Sequence, residues 1–199
     1  MQDSTAYVML FLAWAVYFFL HSYLASESFK SFAKMSFKLG DRSQRLLYNG
    51  VSTVGLLALL YFNGWIKSYY LLQLSQGLKI TSMLLTASGV LILRACFKNY
   101  SMSSFLGLKE EEEKLHITGI LSLVRHPIYS GTILITLGFF LFDPRLSTMI
   151  SCSSIFIYLI IGIRLEERKL EKKFGQAYKD YKSQVPMLIP RIDFFKNKG

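Results

Sequence analysis

Five apolar runs decide what this chain can fold into, because each matches or approaches the thickness of a bilayer's hydrocarbon core. A membrane helix needs about 20 mostly apolar residues. The runs lie at Ala6 to Leu24, Leu46 to Ile66, Leu78 to Phe97, Ile128 to Phe142 and Ser147 to Ile163. In lipid every backbone N–H and C=O has to bond within its own segment, so the pattern predicts an all-α, polytopic integral membrane protein with about five transmembrane helices. The fourth run is short. It ends at Asp143-Pro144, and either takes in the Leu121 to Val124 stretch or falls short of a full crossing. Composition agrees: 52% of the residues are apolar and 15% aromatic, which excludes an ordinary soluble domain. No Lys or Arg precedes the first run, so it is expected to stay as an anchor rather than be removed as a signal peptide. With no internal repeat, low-complexity tract or Gly/Ser linker, residues 1–199 read as a single domain.

A net charge of +10 raises the question of nucleic acid, and the positions of the charges answer it. Lys30, Lys34, Lys38, Arg42 and Arg45 lie between the first and second runs, and only Lys67 and Lys79 between the second and third. Arg94, Lys98, Lys109, Lys114 and Arg125 precede the fourth, Arg145 alone separates the fourth from the fifth, and ten Lys or Arg follow from Arg164 onward. This alternation is the positive-inside pattern. It predicts an N-terminus outside, a cytoplasmic Arg125 loop and a cytoplasmic basic tail facing anionic lipid headgroups, with no nucleic-acid partner. Cys96 and Cys152 stand at no metal-ligand spacing, and no metal site is expected. The run Glu110 to Glu113 reads as a solvated face, since like charges in sequence repel.

Chemistry concentrates at Leu123-Val124-Arg125-His126-Pro127-Ile128-Tyr129-Ser130-Gly131. Pro127 fits the first turn of a helix and disfavours helix at His126, so the fourth segment is predicted to start there. Its N-terminal N–H groups and positive dipole end suit a carboxylate or a hydroxyl-rich ligand. Gly131 keeps that first turn thin, admitting an aromatic base or another helix. An unpaired charge near lipid costs several kcal/mol, so Arg125 and His126 need partners. Glu166-Glu167, past the far end of the fifth run, would supply them if the two segments form a hairpin.

At 3.6 residues per turn, Ile163, Glu166, Leu170 and Phe174 share one helix face, and Arg164, Glu167, Arg168 and Glu171 another. That spacing makes Glu167 a member of an exposed ion-pair ladder and Glu166 the residue that needs a ligand or His126 to explain it. Gly175 is expected to stop the helix, with Tyr178, Tyr181, Pro186 and Pro190 forming an ordered tail able to fold back as a cap.

Arg125 to Gly131, then Glu166-Glu167, then Phe174-Gly175-Gln176-Ala177-Tyr178-Lys179-Asp180-Tyr181 and Val185-Pro186 through Ile189-Pro190 resemble the signature of the isoprenylcysteine carboxyl methyltransferase and phospholipid methyltransferase superfamily. The resemblance covers about residues 89–191. The N-terminal third, with His21 to Ser26 and Arg45 to Asn49, is more similar to NnrU-like proteins and methanethiol S-methyltransferases of the same broad grouping, and this puts a prenylcysteine substrate in doubt. What the resemblance implies is a membrane methyltransferase domain that uses S-adenosyl-L-methionine, held on the cytoplasmic side by His116, Gly119, Leu123, Val124, Arg125, His126, Tyr129, Gly131, Glu166 and Glu167. Arg164 and Glu167 are the candidate catalytic residues, with Arg164 suited to orienting an anionic acceptor.

The implied reaction is in-line transfer of a methyl group to a lipophilic or small nucleophile, such as a carboxylate, a thiol or an amine. Most of its rate would come from alignment, and no residue has to act as a covalent nucleophile. Two other functions remain open from sequence: a non-catalytic NnrU-like membrane accessory protein, and a membrane reductase using NADPH. The second lacks a basic cluster devoted to a 2′-phosphate.

Overall fold

A computed structural model describes residues 4–99, 115 and 117–191. Seven α-helices are described: α1 (Ser4–Leu24), α2 (Glu27–Phe37), α3 (Asp41–Trp65), α4 (Gln76–Asn99), α5 (Pro127–Phe142), α6 (Leu146–Phe174) and α7 (Gln176–Gln184). A single 3₁₀ turn, Gly119–Ser122, precedes α5. No strand occurs among the described residues, whose β pairing is limited to an isolated Tyr70–Arg145 bridge. The all-α expectation is borne out. Four helices, α1, α3, α4 and α6, are long and apolar enough to cross a membrane, and the chain is a multi-pass membrane protein. The fifth, α5, has 16 residues, about 24 Å at 1.5 Å per residue, against a hydrocarbon core of about 30 Å. The 29 residues of α6 give about 43 Å, and that surplus length carries Glu166 and Glu167 beyond the apolar part of the helix.

The basic stretch after the first run holds a helix that the apolar-run pattern does not reveal. Ser26 caps α2, its Oγ accepting from Phe29 N at 3.2 Å, and Lys38 closes the helix in the left-handed region at φ 51°. A Ser cap followed by Glu27 is a helix-start signal that apolar length alone misses. Likewise α3 begins at Asp41, ahead of the apolar run at Leu46, because the acidic first turn complements the helix dipole.

The chain forms two compact units. Among the described residues, the first contains 4–74 and Asp143–Ile155, the second 75–99, α5 and 156–191, so α6 contributes to both. In the first unit, Leu10, Trp14, Leu59 and Ile66 form the buried core. A polar chain runs through it: Trp14 Nε1 donates to Ser151 Oγ (2.9 Å), Ser151 Oγ to Asn63 Oδ1 (3.0 Å), Asn63 Nδ2 to Thr148 Oγ1 (3.2 Å) and Thr148 Oγ1 to Asp143 Oδ2 (2.9 Å). Arg145 closes the chain on Asp143 at 2.6 Å. Such bonds tie helices together where lipid supplies no hydrophobic drive, and each contributes about 0.6 kcal/mol.

In the second unit α4 and α5 touch backbone to backbone. A Cβ at Gly89 would stand 2.6 Å from Gly131 O, and one at Gly138 would stand 2.2 Å from Thr86 Oγ1 and 2.9 Å from Ser82 O. Ser82 Oγ donates to Gly138 O at 2.9 Å. Small residues allow this approach, and dispersion then holds the pair.

Gly138→Ala is expected to destabilise the protein by about 1–3 kcal/mol, since the added Cβ would strike the Thr86 hydroxyl and, behind it, the Ser82 carbonyl and the Thr86 amide nitrogen of the facing helix backbone. Gly50→Ala, with nothing within 4 Å of the added Cβ, is expected to be neutral or to stabilise by up to about 1 kcal/mol. Thermal midpoints in detergent check both.

Candidate functional site

Pro127 starts α5, as its fixed φ predicts, and Arg125 and His126 lie just before it. The first contacts these two residues make are with the chain's own tail. Arg125 N donates to Pro186 O (2.9 Å), His126 N to Met187 O (3.0 Å) and Ser130 Oγ to Leu188 O (2.7 Å). The tail reaches them because Gly175, at φ 57°, breaks α6 from α7 and turns the chain. Tyr178 and Tyr181 then bury against Leu115, Leu170 and Phe174, and Tyr181 Oη donates to Leu121 O at 2.6 Å. The tail is the cap that its prolines and tyrosines predict. Its carbonyls take the two amides just ahead of α5.

At the centre of this junction is Glu167. Its Oε1 accepts from Arg125 Nη2 (2.8 Å), Arg125 Nε (3.1 Å) and His126 Nε2 (3.3 Å), and its Oε2 pairs with Lys182 Nζ at 2.8 Å. Arg125 Nη1 also donates to the carbonyls of Lys182 and Val185. The exposed-ladder reading of Glu167 is therefore wrong: its side chain is 8% exposed, and its partners come from the α5 start and from α7. The helical wheel places residues by angle on one helix, and cannot register a second chain segment folding over the polar face. The expectation that Arg125 and His126 would be partnered by the acidic pair holds.

Glu166 is different. Its side chain is 46% exposed, with Oε2 3.9 Å from His126 Nδ1, so His126 has one glutamate near each ring nitrogen. Glu166, His126 and Tyr129, with Arg125 and Thr118, supply polar groups to a cavity of about 110 Å³ whose apolar wall includes Ile120, Leu121, Ile128 and Cys96. A water needs about 10–15 Å³ of such space, so the cavity admits a ligand group of several heavy atoms. The His126 and Tyr129 rings meet edge to face with centroids 5.5 Å apart, and Tyr129 Oη lies 3.1 Å from where a Cβ on Gly162 would stand. Gly162 thus lets α6 accept the Tyr129 ring.

The remaining candidates fall in three groups. Gly119, at φ 64°, Leu123 and the buried Val124 shape the turn leading to Arg125 without lining the cavity. Gly131 faces α4 through Gly89, so of the two neighbours its size admits, the structure shows the helix. Arg164 is exposed on α6 and lies outside the cavity wall. His116 lies outside the described residues, as does Glu110 to Glu113. Sequence reasoning missed Lys182, although its position one turn after Tyr178 on α7 marks it as sharing the buried face. Lys182 is held above the usual lysine range, mainly by Glu167 and then Glu171.

The NnrU protein family's model matches residues 9–191. The chain belongs to the NnrU protein family. It is also 39% identical over 71 residues to a methanethiol S-methyltransferase of Crocosphaera subtropica, covering 35% of this chain and 26% of that protein. Identity is 42% over 74 residues to methanethiol S-methyltransferase 1 of Bradyrhizobium diazoefficiens (34% and 23% covered). It is 33% over 94 residues to a protein-S-isoprenylcysteine O-methyltransferase of Schizosaccharomyces pombe (46% and 40% covered). The chain thus spans about a quarter of the length of these two methanethiol S-methyltransferases. No solved structure matches it. The superfamily resemblance carried by the motifs is borne out by the names of these relatives.

Glu167→Gln should leave the Arg125 guanidinium buried with a weakened partner, and is expected to cost about 3 kcal/mol. Lys182→Ala, at a half-exposed position, should cost under about 1 kcal/mol. Denaturant unfolding in micelles, with trypsin cleavage of the tail as a second readout, checks the pair. Burial, followed by the Glu167 charge, pushes the Tyr178 phenol from 10.0 up to about 12. The folded state therefore holds that proton more tightly than the unfolded chain, and the stability this contributes is complete below pH 10 and lost as pH rises through about 12. Tyr178→Phe should lose less stability than the parent protein over that interval.

Proposed function

We propose that this chain is an integral-membrane methyltransferase that binds S-adenosyl-L-methionine at the cavity beside the α5 start. The observation that carries the proposal is the placement of Glu166 and His126 together on one wall of that cavity, in a chain whose relatives are named as methyltransferases. The donor set suits the group: the half-exposed Glu166 carboxylate matches an ammonium, and Ile120, Leu121 and Tyr129 match apolar and aromatic parts. Bound there, the cofactor would supply an activated methyl group for in-line transfer to a nucleophile.

The protein's own part is positioning. Glu166 and His126 hold and orient the ligand, while Glu167 and Arg125, each satisfied by the other and by the tail, fix the position of His126. Arg164, exposed on the same helix, is the group suited to orienting an anionic acceptor. The acceptor is a lipophilic or small nucleophile. The positive-inside charge pattern supports an N-terminus outside and a cytoplasmic cofactor site.

Parallel calorimetry of the full chain in detergent with S-adenosylhomocysteine and NADPH tests the reading. S-adenosylhomocysteine should bind and NADPH should not. Glu166→Gln should weaken binding about tenfold, the weight of one charge-assisted hydrogen bond of about 1.5 kcal/mol. Binding of NADPH alone would favour a reductase, and binding of neither a non-catalytic role. Thiol labelling of Ser4→Cys and Lys179→Cys should place these positions on opposite sides of the membrane, and finding both on one side would overturn the five-crossing topology.

A further inference from the structure

His21 lies within the α1 span, where a polar side chain exposed to lipid is costly, yet it takes no part in the site described above. Its two ring nitrogens are both hydrogen-bonded to α3: Nδ1 stands 2.9 Å from Ser52 Oγ, and Nε2 stands 2.9 Å from Tyr48 Oη. The ring is flanked by Tyr17 and Tyr48, with centroids 5.8 and 5.0 Å away. Tyr17 in turn donates to Ser52 O at 3.2 Å. Gly55 makes this arrangement possible, because a Cβ there would lie 2.9 Å from the Tyr17 ring. His21 and Ser52 form the polar edge of a groove of about 350 Å³ whose other walls include Val16, Leu20, Val51 and Leu59.

The direction of the hydrogen-bond chain decides what fits. A neutral imidazole donates from one nitrogen and accepts at the other. If Tyr48 donates to Nε2, then Nδ1 donates to Ser52 Oγ, and the serine keeps its own proton to give. In the other tautomer Ser52 donates to Nδ1 and keeps lone pairs to accept. A head group that both donates and accepts is matched in either case, whereas a ketone, which only accepts, or an alkylammonium, which only donates, suits only one. Hydroxyl is the smallest such group.

We infer that the α1–α3 groove is a binding site for a lipophilic molecule bearing a hydroxyl head, its chain along Val16, Leu20 and Val51 and its hydroxyl on Ser52 beside His21. The inference goes beyond the methyltransferase reading and stands on residues that reading does not use.

The test uses the full chain in phosphatidylcholine nanodiscs with a diazirine-bearing long-chain alcohol, labelled sites being read by mass spectrometry. Labelling should concentrate on residues 13–21 and 51–59, and an excess of dodecanol should suppress it where dodecane does not. Ser52→Ala should weaken the dodecanol competition about fivefold, as expected for one neutral hydrogen bond. Val16→Trp, at an exposed groove position, should abolish site labelling and keeps the inference testable if the serine variant does not fold. Uniform labelling of α1 and α3, equal competition by dodecane, or full dodecanol competition in a folded Ser52→Ala would each overturn it.

Discussion

The Glu167 carboxylate uses both oxygens to join segments far apart in sequence. Arg125 and His126 precede α5, Lys182 lies on α7, and Glu167 is on the extension of α6 beyond its apolar run. A buried charge without partners is expensive, and a pair that loses one partner leaves the other exposed to the same cost. Each group therefore requires the others, and the requirement fixes where the tail lies. Once the tail is fixed, its carbonyls at Pro186 and Met187 take the amides ahead of α5, and His126 is held with its second nitrogen toward Glu166 and the cavity.

This arrangement divides labour between two adjacent glutamates. Glu167 is consumed by the structure, and Glu166 keeps a half-exposed carboxylate at the cavity wall. Arg125 lines the same cavity while its guanidinium is engaged: two of its nitrogens reach Glu167, and the third reaches the carbonyls of Lys182 and Val185.

The helices that cross the membrane were legible because lipid enforces apolar length, and the start of α5 was legible because proline enforces local geometry. Helical periodicity set Glu166 apart from Glu167, and the structure places Glu166 on a cavity wall. The burial of Glu167 did not follow. It depends on α7 folding back, a contact between residues 125, 167 and 182 that no periodicity within one helix encodes. The helix α2 escaped notice because its signals are a Ser26 cap and short amphipathic spacing rather than an apolar run. The close approach of Gly89 to Gly131 was half legible: the small residue at 131 announced a tight neighbour, but not which one.

The central claim is that the Glu167 charge holds the tail on the start of α5. Amide hydrogen exchange at Arg125 and His126, compared between the parent protein and Glu167→Gln, tests it most directly, because these two N–H groups bond to tail carbonyls. The account predicts protection of both amides in the parent and a joint loss of protection in the variant, together with faster exchange along α7. Unchanged protection at Arg125 and His126 in a folded Glu167→Gln would contradict it.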